Sequence, residues 1–167
     1  GHRDFEVSFD PDLPIEDDLV RRDFTINAMA LPLDGGSLID PLHGLADIQN
    51  HCLRMISENS FIEDPLRMVR AVQFAARLKF DIEPETFAAM QKHAASIKSV
   101  SVERITEEIN KMLLLSDEPS RGFRLMQKSG LLKFILPELE ATVAIEQPGG
   151  FHAYDVCGNS LHGYRFD

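Results

Sequence analysis

The pattern of apolar residues changes at Asp64–Pro65, and this change constrains the fold more than any other feature of the chain. From there the apolar positions recur every three or four residues, the spacing of one helical face. "DPLRMVRAVQFAARLKF" begins with an N-cap type residue, Asp64, and a proline at the first helical position, a combination that starts helices. "EPETFAAMQKHAASI" places Phe87, Met90, Ala94 and Ile97 on one face. "SVERITEEINKMLLL" predicts a third helix with Val102, Ile105, Ile109, Met112 and Leu113 inward. "PSRGFRLMQKSG" predicts a fourth, stopped by Gly130, and "LLKFILPEL" is expected to end at Pro137.

The residues ahead of this body read differently. "DFEVSF" (Asp4–Phe9) alternates polar and apolar and predicts a short strand. The acidic, proline-rich "DPDLPIEDD" predicts a loop, after which Asp17 or Asp18 can cap a helix beginning near Leu19. The Gly-Gly pair in "PLDGGSLIDP" predicts a hairpin, and residues 43–60 stay ambiguous, with a possible strand at "CLRMIS". The expected fold class is α+β: a small mixed front over about 1–60, a helical body over about 61–140, and an incompletely determined region at 141–167. A length of 167 residues with 44% hydrophobic and 26% charged side chains can bury a core. No apolar run approaches the roughly 18 residues that a membrane span needs. Cys52 and Cys157 lie far apart and outside any C-x-x-C, which predicts reduced thiols in a cytoplasmic protein.

Charge is unevenly distributed. The chain carries a formal −10, yet all of it resides in residues 1–64, where 14 acidic face 4 basic side chains; the remainder holds 13 of each. Against that background "RRDFTINAMA" (Arg21–Ala30) stands out. Arg21 and Arg22 can fork onto phosphate oxygens, Asp23 can accept from ribose hydroxyls, and Asn27 would share a helix face with Asp23. An ion pair at a helix end explains the same residues. In "EDPLR", Asp64 and Arg67 stand three apart, so a carboxylate and a guanidinium can converge on the pairing edge of cytosine or adenine, each of which presents an amine beside an acceptor. A plain helix cap at Asp64 is the other reading. Arg70 extends the basic stripe. Arg121, Arg124, Lys128 and Lys133 form an acid-free cluster that can face phosphates or simply solvent. "DPD" at Asp10–Asp12 is a poor metal site, because a proline separates its carboxylates in a loop. His152 near Tyr154 and Asp155 is weak as a metal ligand.

Four segments in order, "DLVRRDFTINAMAL", "IDPLHGLADI", "FIEDPLRMVRAVQFAARLKF" and "SVERITEEINKMLL", resemble successive motifs of the bacterial-type (class II) tRNA nucleotidyltransferase and poly(A) polymerase family, over roughly residues 1–140. The resemblance implies the C-terminal part of a nucleotidyltransferase-fold head, with short antiparallel strands plus helix, followed by an all-helical neck and body. It implies template-independent addition of CCA to tRNA 3′ ends from CTP and ATP, with Mg²⁺ as cofactor and tRNA as partner. A bacterial poly(A) polymerase, an enzyme adding only CC or A, and a non-catalytic RNA- or nucleotide-binding module remain alternatives. Carried over residue by residue, nucleotide binding maps to Arg21, Arg22, Asp23, Asn27, Glu63, Asp64, Arg67 and Arg70; from the acid-free basic cluster, RNA binding is expected at Arg121, Arg124 and Lys128. Glu103, Arg104, Glu108 and Lys111 match a neck helix and are expected to be structural.

The chain also departs from the family pattern. The Gly-rich turn and the strand with two metal-binding carboxylates are expected ahead of Gly1, so no catalytic or metal-binding residue is assigned and the isolated chain is expected to be inactive. Gln73 stands where the family often has a third arginine. "FHAYDVCGNSL" resembles the start of an HD-type phosphohydrolase region, but Asn159 replaces the usual histidine, and no such activity is expected.

Overall fold

The computed structural model describes residues 14–143. The expected strand at Asp4–Phe9, the "DPD" pair and the region from 144 onward, including "FHAYDVCGNSL", lie outside the described residues.

The helical body forms around α4 (Leu66–Leu78). Its sequence, LRMVRAVQFAARL, has small or apolar residues on more than one face, and Leu66, Met68, Val69, Ala71, Val72, Ala75 and Ala76 are all buried. The helix ends at Lys79, which adopts a left-handed conformation with φ 59°. On α4 pack α6 (Val102–Leu115) and α7 (Pro119–Ser129), and α5 (Pro84–His93) packs against α7. A 3₁₀ segment, Ala94–Ser99, continues α5 and buries Ala94 and Ile97. Gly130 stops α7 with φ 78°, as a left-handed helix end requires. Pro137 does not close the helical region; Leu132–Ile135 (α8) ends before it, and it opens a further short helix, Pro137–Glu140 (α9), because proline suits a first helical turn.

In α6 the buried positions are Glu108 and Met112, flanked by partly buried Ile105 and Ile109. The expected inward placement of Val102 and Leu113 is corrected: they are 73% and 39% exposed. Leu113 follows Met112 by one residue, about 100° around the helix, so both cannot point into the same seam.

The front is irregular. The helix expected to begin near Leu19 instead ends there and precedes "RRDF": α1 spans Ile15–Leu19 with Pro14 at its start, so Asp17 and Asp18 lie inside its first turn and cap nothing. The segment after Arg22 forms only a 3₁₀ turn, Thr25–Asn27. The predicted hairpin is present as one antiparallel bridge, with paired backbone hydrogen bonds between Ala30 and Ile39 of 3.0 and 2.9 Å. The ambiguous stretch 43–60 holds α2 (Gly44–Gln49), a two-residue strand β1 (Cys52–Leu53) and the start of α3 (Asn59–Glu63). The Asp40 carboxylate accepts from the backbone N–H groups of Gly44 and Leu45 at 2.7 and 3.0 Å and so caps α2. Among the described residues antiparallel pairing is limited to bridges, and the one ladder is parallel: β1 pairs with β2 (Asp81–Ile82), with α3 and α4 as the crossover that a parallel pair needs. One hydrophobic cluster joins front and body, with Phe24 and Leu53 packed in the same core as α4, α6 and α7.

Glu83 locks α5 to this junction. Its carboxylate accepts from the Thr86 N–H and Oγ1, both at 2.8 Å, and lies 3.3 Å from the Arg54 guanidinium. Thr86 Oγ1 in turn accepts from the Met55 N–H. Burial pushes the Glu83 carboxyl up, but the Thr86 hydrogen bonds and Arg54 outweigh it and hold the group below the usual carboxylate range. The stabilisation is therefore present above the ordinary carboxylate value and is lost as pH falls through the depressed folded value. Glu83→Gln should lower the unfolding midpoint at pH 7, and the gap from wild type should close as unfolding is followed toward pH 3. A gap independent of pH would contradict this.

Candidate functional site

Where the "RRDF" turn meets the N-terminal end of α4 there is an open cavity of about 290 Å³, lined by Arg21, Arg22, Asp23, Asn27, Asp64, Leu66, Arg67, Arg70 and Arg104. Five guanidinium groups thus face two carboxylates. Within a strongly acidic chain this is a local excess of positive charge, suited to an anion.

The anchor is Asp23, 5% exposed. Its Oδ2 accepts from Arg70 Nε at 2.5 Å and its Oδ1 from Asn27 Nδ2 at 2.6 Å. Asn27 Oδ1 accepts from the Phe24 N–H at 3.3 Å, so the side chain braces its own turn. The expected helical relation of Asp23 and Asn27 is not what joins them; the turn brings them together without an α-helix. Phe24 is fully buried and meets Phe74 edge-on, with ring centroids 5.8 Å apart, and Arg70 lies over the other ring at 5.3 Å.

Asp64 caps α4 and also lines the cavity. Oδ1 accepts from the Leu66 N–H at 3.2 Å, capping α4, and Oδ2 faces the cavity, where Arg104 Nη2 donates at 2.8 Å. Arg67 donates to the carbonyls of Arg21 and Arg22 at 3.0 and 3.5 Å, which ties α4 to the "RRDF" turn. Arg22 pairs with Asp18 at 2.6 Å, but both side chains are about half exposed, so the pair is weak and easily exchanged for another anion. Arg21 makes no ion pair among the described residues.

Seven of the eight residues assigned from the nucleotide motifs converge here. Glu63 does not: it is exposed and accepts from Asn59 at 2.6 Å. Arg104, expected to be structural, is a cavity residue contributed by α6. Its partner Asp64 lies 40 positions away, a separation that leaves no local signal. Gln73 is 2% exposed, so this position presents nothing to a phosphate. Of the cluster assigned to RNA, Arg121 donates to the Phe80 carbonyl and to Asp81 at 3.0 and 2.7 Å, and Arg124 to Glu118 at 2.5 Å. The Arg124 pair is about half exposed, like that of Arg22, and Asp81 is almost fully exposed. Lys128 is exposed and is the member of the three best placed to meet a ligand.

Among the described residues no three His, Cys, Asp or Glu side chains converge as a metal site. The two cavity carboxylates stand among five guanidinium groups, Asp23 against Arg70 and Asp64 against Arg104, and this positive surrounding disfavours a cation. These residues do not fit Mg²⁺. Among the described residues no helix is long and apolar enough to cross a membrane.

The family described as Poly A polymerase head domain matches residues 3–54, and that described as probable RNA and SrmB-binding site of polymerase A matches residues 79–142. All of α4 and the "EDPLR" segment lie between the two spans. The Multifunctional CCA protein of Xanthomonas campestris pv. campestris (strain B100) is 42% identical over 157 residues, covering 91% of this chain and 38% of the relative. The CCA-adding enzyme of Blochmanniella floridana is 43% identical over 156 residues, covering 92% of this chain and 37% of the relative. The chain thus spans well under half the length of these relatives. Among solved structures, the Bacillus stearothermophilus CCA-adding enzyme in complex with CTP superposes with a TM-score of 0.73 at 37% identity, over 77% of this chain and 33% of that one. The Thermotoga maritima CCA-adding enzyme complexed with tRNA gives 0.68 at 34% identity, over 74% of this chain and 31% of that one.

Proposed function

This chain belongs to the poly(A) polymerase and tRNA nucleotidyltransferase family, and from that premise we propose that it carries the nucleotide-selecting part of a CCA-adding enzyme. The observation that carries the proposal is the cavity itself: five arginines surround one buried and one half-buried carboxylate at the junction of the front and the helical body. Arg21 and Arg22, exposed and weakly committed, take the triphosphate. Asp23, held from behind by Arg70 and Asn27, accepts from the sugar hydroxyls. Asp64 accepts from the exocyclic amine of cytosine or adenine and Arg67 donates to the neighbouring ring acceptor. Guanine and uracil present the opposite order and leave both groups unsatisfied, which is how polar sites reject a wrong ligand. The division into a head over about 1–60 and a neck and body over about 61–140 accords with this arrangement.

The proposed reaction of the whole protein is attack of a tRNA 3′-hydroxyl on the α-phosphorus of CTP or ATP. A new phosphodiester bond forms, pyrophosphate leaves, and the hydroxyl proton is lost. The partner is tRNA, the cofactor of the whole enzyme is Mg²⁺, and the setting is the cytoplasm.

Base reading is tested with Arg67→Ala. Preference for CTP and ATP over GTP and UTP should fall by about 1–3 kcal/mol, the usual discrimination of a paired base contact. Affinity for inorganic triphosphate, which offers no base, should change little. Undiminished preference in the variant would mean that Asp64 and Arg67 serve only as a helix start.

A further inference from the structure

Glu108, on α6, is an ionisable group that the proposed function does not use. The residue is 4% exposed, and its Oε1 accepts from Lys111 Nζ at 2.7 Å and lies 3.7 Å from Arg70 Nη1. Its Oε2 is buried with no hydrogen-bond partner among the described residues. A carboxylate held this way is costly, and a neutral side chain of similar size would avoid the cost. Its position shows what it acts on. Arg70 meets Asp23 through Nε alone, although a guanidinium facing a lone carboxylate usually closes on it with two parallel bonds. Glu108 stands on the Nη1 side and Phe74 lies against the guanidinium at 5.3 Å. Arg70 is thereby held between two anions, and Asp23 keeps lone pairs facing the cavity.

We propose that Glu108 is a positioning residue which, by drawing Arg70 Nη1 toward α6, keeps Asp23 open to the hydroxyls of a ribose and so sets preference for ribonucleotides. The inference rests on the reading of Asp23 as the sugar acceptor. Without the Glu108 charge, Arg70 turns onto both oxygens of Asp23 and occupies the positions the sugar would use.

The test is titration of the full 167-residue chain with CTP and with 2′-deoxy-CTP, followed by backbone amide resonances, which also report whether each variant is folded. In wild type CTP should bind more tightly. In Glu108→Gln the CTP dissociation constant should rise about tenfold, the effect of one hydrogen bond to a charged group, while that of 2′-deoxy-CTP stays unchanged. Glu108→Asp, which keeps the charge on a shorter arm, should fall between. The inference is overturned if Glu108→Gln keeps the wild-type preference, if it weakens both ligands equally, or if it fails to fold while Glu108→Asp discriminates as wild type does. A wild-type chain that binds both ligands equally, or neither, would overturn the assignment of Asp23 to the sugar as well.

Discussion

Asp23→Ala should destabilise the chain by about 2 kcal/mol and remove measurable nucleotide binding together. The carboxylate is buried and serves two donors, Arg70 Nε and Asn27 Nδ2. Its removal leaves Arg70 with Glu108 at 3.7 Å as its remaining anion and leaves Asn27 without its acceptor. Breaking a fully buried pair costs about 3–5 kcal/mol because the partner stays charged and unsolvated. Arg70 is 31% exposed, and water reaching it reduces the cost to the lower figure. For a chain of this length that corresponds to a fall in Tm of about 4–8 °C. Thermal unfolding of Asp23→Ala beside Asp23→Asn reads the effect: asparagine keeps the shape and one acceptor and should recover part of the stability. A Tm within about 1 °C of wild type for the alanine variant would mean that this pair does not hold the turn against α4.

Gly44→Ala should cost about 3 kcal/mol, the upper end for forcing atoms into a packed site. A Cβ built at this position would stand 2.1 Å from the Thr25 carbonyl oxygen and 2.8 Å from its carbon. Both are backbone atoms, so no rotamer change relieves the clash. Either α2 withdraws from the 3₁₀ turn or the turn moves. Withdrawal strains the bond from Thr25 Oγ1 to Asp47 at 2.7 Å, and with it the contact of Asp47 with Arg54 at 3.1 Å. Movement of the turn displaces Asp23, two residues before Thr25, so nucleotide affinity should fall along with stability. Urea unfolding and nucleotide titration of the same variant check both halves. A variant as stable as wild type would show that α2 can slide on the turn at no cost and that the close approach is incidental.

The helical body was legible because its signals are local. Asp64–Pro65, Gly130 and the spacing of Met90, Ala94 and Ile97 each act within a turn or two of their own helix. The front was less legible. Its strands are two residues or single bridges, too short for an alternating pattern, and its organising bonds, such as Asp40 to Gly44 and Thr25 to Asp47, depend on side chains meeting across loops. The cavity was legible only as far as it follows motifs. Arg21, Arg22, Asp23, Asn27, Asp64, Arg67 and Arg70 came from two short segments, whereas Arg104 arrives from a helix whose local pattern reads as amphipathic and nothing more. Arg121 and Arg124 show the converse. A run without acids gives no sign of the partners that Asp81 and Glu118 supply from outside it.

The central claim is that Asp64 and Arg67 read a base presented to this cavity. Titration of the wild-type chain with CTP, ATP, GTP and UTP under one set of conditions tests it most directly. The account predicts that CTP and ATP bind with similar affinity and that GTP and UTP bind at least about tenfold more weakly. Equal affinity for all four would show a site that holds triphosphate and sugar without reading the base, and would contradict the account.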